Sequence, residues 1–175
     1  MRRRTSRLPF GLGAAALIFV ADQGSKWAIL GAMRPPGEAA TPFVGKGAMA
    51  ILPVLQFILV WNRGVSFGVG NTGSIWSTIG FAAVAIVVAL LLLIWMARTS
   101  KPTLALALGL VFGGAIGNLL DRFRFGAVVD FIYVHIGAFD WFPVFNVADS
   151  AITVGAILLA IDSLFAGSES HRTRP

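Results

Sequence analysis

The sequence predicts a mainly α membrane protein, with four transmembrane helices, a small periplasmic β-sheet and an extended periplasmic loop in a single domain, 1–175. Two observations predict it. Of the 175 residues, 57% are hydrophobic and only 13% are charged, too few polar groups to clothe a water-soluble domain. Four apolar stretches, Phe10 to Leu30, Ser74 to Ala97, Leu104 to Leu120 and Val144 to Phe165, approach or meet the roughly 20 residues that a bilayer core requires of a helix.

Cationic flanks orient these spans. Arg2, Arg3, Arg4 and Arg7 precede the first, Arg98 and Lys101 separate the second from the third, and Arg172 and Arg174 follow the fourth. Basic residues stay on the cytoplasmic side, so both termini are expected there. Segments 32–73 and 121–143 then face outward, into the periplasm of a Gram-negative cell or its equivalent, and polar chemistry is expected to collect near that outer face of the membrane. The same distribution accounts for the net charge of +6, and no nucleic-acid partner is expected. A cleavable signal peptide is the alternative for the Arg-rich start. The apolar run, however, passes Asp22 and Lys26 and reaches Leu30 without a small-residue cleavage site, so an uncleaved anchor is expected.

Scarcity narrows the chemistry. The absence of cysteine rules out disulfides, a thiol nucleophile and thiolate metal sites, and two histidines argue against zinc. No metal and no cofactor are expected. The first outer segment carries Pro35, Pro36, Pro42 and Pro53, then a β-branched and aromatic run from Val54 to Trp61 that ends at Asn62. That pattern predicts a strand followed by a turn, in a sheet lying on the membrane surface. No internal repeat is visible, against a transporter of duplicated halves. The polar tail from Gly167 is expected to lie loose beyond the last helix.

Each charge inside a membrane helix costs about 2.5 to 3.5 kcal/mol on insertion scales and needs a reason. Asp22 and Lys26 stand at i and i+4, on one face. They form either a self-neutralising pair or the support of a site. Ser25 beside Lys26 raises a serine–lysine peptidase, but adjacent helical residues do not face each other. In GGAIGNLLDRFRFG, Asn118, Asp121 and Arg122 share a face. Gly113, Gly114 and Gly117 would admit a neighbouring helix, and Gly126 ends the helical pattern.

AVVDFIYVHI then has period-two character that puts Asp130, Ile132 and Val134 on one side. Flanked by Val128, Val129, Phe131 and Ile132, the Asp130 carboxylate is poorly solvated, which raises its pKa. In FNVADSAITVG, Asn146 fits an N-cap and Asp149 complements the positive helix end. Taken alone, that reading is structural. A second carboxylate at the same membrane face changes the balance, because two carboxyls sharing one proton can hydrolyse an amide without metal or covalent intermediate. They titrate as a coupled pair, with Asp149 expected to be the ionised member and Asp130 the protonated one.

Five blocks together resemble the lipoprotein signal peptidases, or signal peptidase II: ADQGSKW at 21–27, WNRGVSFG at 61–68, GGAIGNLLDR at 113–122, VVDFI at 128–132 and FNVADSAITVG at 145–155. The resemblance implies an aspartic endopeptidase with Asp130 and Asp149 as catalytic residues and Asn118, Asp121, Arg122 and Asn146 around them. Asp22, Lys26, Asn62 and Gly64 match positions that support the site or substrate. Arg63, Val65 and Ser66 depart from the commoner threonine and two alanines, a change that bears on substrate preference. The implied substrates are prolipoproteins carrying a diacylglyceryl cysteine, cut just before that cysteine, by an enzyme that works among membrane lipids as a monomer. A lipid-facing groove between helices would accept the acyl chains. A small transporter or a noncatalytic lipid-binding protein is the competing class. The crowding of polar residues toward one face, Asp162 excepted, favours the peptidase.

Overall fold

The computed structural model describes residues 6–33, 48–64, 75–135 and 143–172. Expectations for Arg2, Arg3, Arg4, Pro35, Pro36, Pro42, Val65, Ser66 and Arg174 lie outside them. In chain order the elements are α1 (Leu8–Met33), β1 (Met49–Leu52), β2 (Leu55–Asn62), α2 (Ile75–Arg98), α3 (Pro102–Phe125), β3 (Val128–Val134) and α4 (Val147–Arg172). Four helical stretches, Leu8–Met33, Ile79–Arg98, Pro102–Phe125 and Val147–Phe165, are long and apolar enough to cross a membrane. Their outward residues, among them Leu17, Val20, Leu91 and Leu164, are the apolar surface that lipid demands.

One helix end, that of α4, differs from expectation. α3 runs past its apolar window to Phe125, as the pattern ending at Gly126 predicts, so Asp121 and Arg122, which open the segment 121–143, sit inside the helix. Charges at the membrane edge end an apolar window without ending a helix. What stops α3 is Gly126, whose φ of 71° is left-handed and whose N–H donates to Arg122 O at 3.0 Å, a glycine C-cap. α4 likewise runs past Gly167 to Arg172, since one glycine costs a helix only about 1 kcal/mol.

α3 is the central helix, packed against α1, α2 and α4. Small residues let the backbones meet. A Cβ on Gly113 would stand 2.5 Å from Ala15 O, and one on Gly114 would stand 2.6 Å from Ala148 O. α3 therefore holds α1 on one side and the start of α4 on the other.

The three strands form an antiparallel sheet in the order β1-β2-β3, with Val60 opposite Asp130 and Asn62 opposite Val128. It packs on the C-terminal end of α1, where Ile29 and Met33 meet Leu59, Trp61, Val129 and Phe131. Trp61 and Phe125 add an edge-to-face ring contact at 5.3 Å. The period-two expectation for β3 gives way here, because Val128 to Phe131 are all buried. One reason is that Phe145, just before α4, pairs with Ile132 through backbone hydrogen bonds of 2.8 and 3.0 Å, so chain covers β3 on more than one side. Only Gly126 and Ala127 separate α3 from β3, which brings Asp121 and Asp130 to the same end of the bundle.

Candidate active site

Asp130 comes from the middle of β3 and Asp149 from the first turn of α4. Asn146 joins them. Its Nδ2 donates to Asp130 Oδ1 at 2.7 Å, while its backbone N–H donates to Asp149 Oδ2 at 3.2 Å. Asn146 Oδ1 in turn accepts from the Asp149 N–H at 2.8 Å. The reciprocal pair is a capping box, and the helix cap uses only one of the Asp149 oxygens. The other, Oδ1, accepts from Asn118 Nδ2 at 2.9 Å.

Asp130 takes a second hydrogen bond from Asn62 Nδ2 at 3.0 Å, on Oδ2. Asn62 Oδ1 accepts from the Gly64 N–H at 3.0 Å, and Gly64 O accepts from Arg122 Nη2 at 2.9 Å. Arg122 thereby fixes the turn that aims Asn62. Burial, then the charge of Asp149, pushes the Asp130 pKa from 3.8 up to about 7, against the opposing pull of the two asparagine hydrogen bonds and of Lys26.

Behind this pair lies a second layer of charge. Asp22, Lys26 and Asp121 are at most 2% exposed, which demands that every ionised atom be matched. It is. Lys26 Nζ reaches Asp22 Oδ2 at 2.8 Å, Asp121 Oδ2 at 2.7 Å and Asn118 Oδ1 at 2.9 Å, using all three ammonium donors. Asp22 Oδ1 accepts from the Ala148 N–H at 3.0 Å, and Asp121 Oδ2 accepts from the Val129 N–H at 3.1 Å. No buried side-chain nitrogen or oxygen among the described residues lacks a partner.

All ten predicted site residues therefore meet in one network, and Asp22 and Lys26 both pair with each other and join it. They neutralise each other along α1, and they tie α1 to α3 and to the start of α4. The serine–lysine alternative fails geometrically: Ser25 Oγ donates to Asp22 O at 2.8 Å, and Lys26 has no donor to spare. Gly117 has a further role beyond helix approach, since a Cβ there would lie 2.5 Å from Asp22 Oδ2. Asp162 lies apart, paired with Lys101 at 3.3 Å near the opposite end of the bundle.

Gln23 escaped the sequence reading. Its Nε2 lies 3.1 Å from each of Asp22 Oδ2, Asp121 Oδ1 and Gly117 O. A polar amide in an apolar helix between two charged residues was the available signal.

The signal peptidase (SPase) II family model matches residues 14–165. Among similar proteins, the lipoprotein signal peptidase of Rhodopseudomonas palustris is 42% identical over 163 residues, covering 88% of this chain and 91% of that one. The lipoprotein signal peptidase of Coxiella burnetii strain RSA 493 is 40% identical over 158 residues, 88% of this chain and 89% of its own. A bacterial membrane enzyme solved by the in meso method at 2.3 Å superposes with a TM-score of 0.75 at 28% identity, covering 91% of this chain and 90% of the other.

Proposed function

The chain belongs to the signal peptidase II family, and on that premise we propose that Asp130 and Asp149 are the catalytic dyad with which this protease removes signal peptides from prolipoproteins. The observation that carries the proposal is Asn146, which donates to one carboxyl through its side chain and to the other through its backbone. It holds two acidic groups against one small residue, where like charge favours retention of a shared proton.

In the monoprotonated state the ionised carboxylate, Asp149, takes a proton from water while the neutral one, Asp130, donates to the scissile carbonyl oxygen. The water oxygen bonds to the carbonyl carbon and gives a tetrahedral diol. Asp149 then returns its proton to the amide nitrogen while a diol hydroxyl gives one to Asp130, so the C–N bond breaks, the amine and the carboxylic acid are released, and the monoprotonated pair is restored. An Asp130 pKa of about 7 leaves the neutral form well populated near neutrality, which suits that division of roles. Asn62, Gly64, Asn118, Asp121, Arg122, Asn146, Asp22 and Lys26 act by aiming and insulating the pair.

The substrate carries a diacylglyceryl group on the cysteine that becomes the new N-terminus, and cleavage precedes that cysteine. The protein lies in the bacterial inner membrane with both termini cytoplasmic and the dyad near the periplasmic face, working as a monomer among lipids. Purified wild type, Asp130→Asn and Asp149→Asn should be incubated with diacylglyceryl-modified prolipoprotein. Both variants should keep the wild-type elution volume in detergent yet release no signal peptide. Cleavage at the wild-type rate by either would remove the dyad.

A further inference from the structure

Two buried aspartates outside the proposed dyad hold the main chain immediately ahead of it. Asp22 Oδ1 accepts from the N–H of Ala148, the residue before Asp149, at 3.0 Å, and Asp121 Oδ2 accepts from the N–H of Val129, the residue before Asp130, at 3.1 Å. The distance between Asp22 and Asp121 therefore sets the distance between the two backbones that carry the dyad. Two side chains span it. Lys26 Nζ lies 2.8 Å from Asp22 Oδ2 and 2.7 Å from Asp121 Oδ2. Gln23 Nε2 lies 3.1 Å from Asp22 Oδ2 and 3.1 Å from Asp121 Oδ1.

We propose that Gln23 is a positioning residue of the dyad, its amide bridging Asp22 and Asp121 so as to fix the spacing of Asp130 and Asp149. The inference rests on the dyad reading given above. The orientation of the amide is not ambiguous: the three neighbours of Nε2 are all acceptors, whereas Arg124 Nη1 approaches Oε1 as a donor at 3.5 Å. Its chemistry also suits the place. Lys26 supplies one positive charge against two buried carboxylates, so the residual repulsion tends to part α1 from α3. A neutral group with two N–H donors draws both carboxylates together without adding charge. Gly117 O, the third acceptor at 3.1 Å, anchors the amide to the backbone of α3.

A loosened bridge should misplace catalytic groups without touching the surface that binds substrate, and small misplacements of this kind are costly in turnover. The charged groups that surround Gln23 are Asp22 and Lys26 on α1 and Asp121 and Arg124 on α3, with Asp130 on β3 and Asp149 on α4 one layer beyond. Turnover of diacylglyceryl-modified prolipoprotein should be measured across pH for purified wild type, Gln23→Met and Gln23→Glu, with Asp130→Asn and Asp149→Asn alongside. Gln23→Met should lose at least tenfold in kcat with KM within about twofold, and its rate–pH profile should be displaced from that of the wild type. Gln23→Glu should lose more at neutral pH, where it adds a third carboxylate. Relative to wild type it should recover as the pH is lowered and the protonated acid again donates a hydrogen bond.

A wild-type kcat and pH profile in Gln23→Met, or a loss confined to KM, would overturn the inference. Should Gln23→Met purify unfolded, the isosteric Gln23→Glu decides, through the presence or absence of recovery on the acid side. Inactive aspartate variants beside an unaffected Gln23 variant would remove this inference alone, whereas full activity in the aspartate variants would remove the dyad with it.

Discussion

Burial, and after it the charge of Asp149, makes the Asp130 carboxyl hold its proton up to a pKa of about 7, well above the 3.8 of a solvated aspartate. Because the fold binds this proton more tightly than the unfolded chain does, the associated stability is fully present below about pH 4. It is lost as the pH rises through 7. Asp130→Asn cannot ionise and should escape that loss. Thermal unfolding in detergent should show the melting temperature of the variant gaining on the wild type between pH 4 and pH 8, by the equivalent of a few kcal/mol. A difference that stays constant with pH would show that Asp130 does not carry the proton. Asn62 pulls the other way, since its hydrogen bond lowers the Asp130 pKa. Asn62→Ala should therefore move the alkaline limb of the rate profile to higher pH, besides reducing the rate itself. A limb that moves to lower pH would contradict the assignment of that limb to Asp130.

Among the elements, the junction of α3 with α4 bears most directly on the site, because Ala148 sits between Asn146 and Asp149. A Cβ on Gly114 would meet the Ala148 carbonyl oxygen, a backbone atom that cannot step aside. Gly114→Ala is expected to destabilise by about 1–3 kcal/mol, as overpacking does, and to lower turnover as the start of α4 moves. Gly13→Ala, where a Cβ would meet nothing within 4 Å, should leave activity intact and hold or slightly raise the melting temperature. Equal effects in the two variants would show that α3 and α4 do not need this close approach. The spans, the Gly126 stop and the cap at Asn146 and Asp149 were legible in the sequence, because period, composition and cap spacing are local signals. β1 was not, since Met-Ala-Ile-Leu has no alternation and its pairing with β2 depends on residues further along the chain. The bridge that Gln23 makes was not legible either, for the same reason. Its partners Gly117 and Asp121 lie 94 and 98 residues away, beyond any rule of helical spacing.

For the molecule as a whole, polar groups gather at the sheet end of the bundle and lipid-facing apolar groups surround the rest. The natural chain lacks cysteine, so a single introduced thiol reports its own side of the membrane. A maleimide that cannot cross the bilayer should label Gln56→Cys from the periplasm and Lys101→Cys only after the cytoplasmic side is opened. The reverse pattern would invert the proposed orientation. Precursor lacking its diacylglyceryl group should be cut poorly, because each buried CH₂ of an acyl chain adds about 0.8 kcal/mol of membrane binding. Robust cleavage of that precursor would make lipid recognition dispensable.

The bond from the Ala148 N–H to Asp22 joins residues 126 apart in sequence, and this separation constrains how the protein is made. When α1 first enters the bilayer, its partners on α3 and α4 have not yet been synthesised. Lys26 is then the only basic neighbour for Asp22 that its own helix supplies. The i,i+4 pair thus lets a helix bearing two charges reside in lipid before the later spans arrive. Because α4 carries Asp149 of the proposed dyad, a ribosome-bound precursor still lacking α4 should be inert toward the lipoproteins maturing beside it.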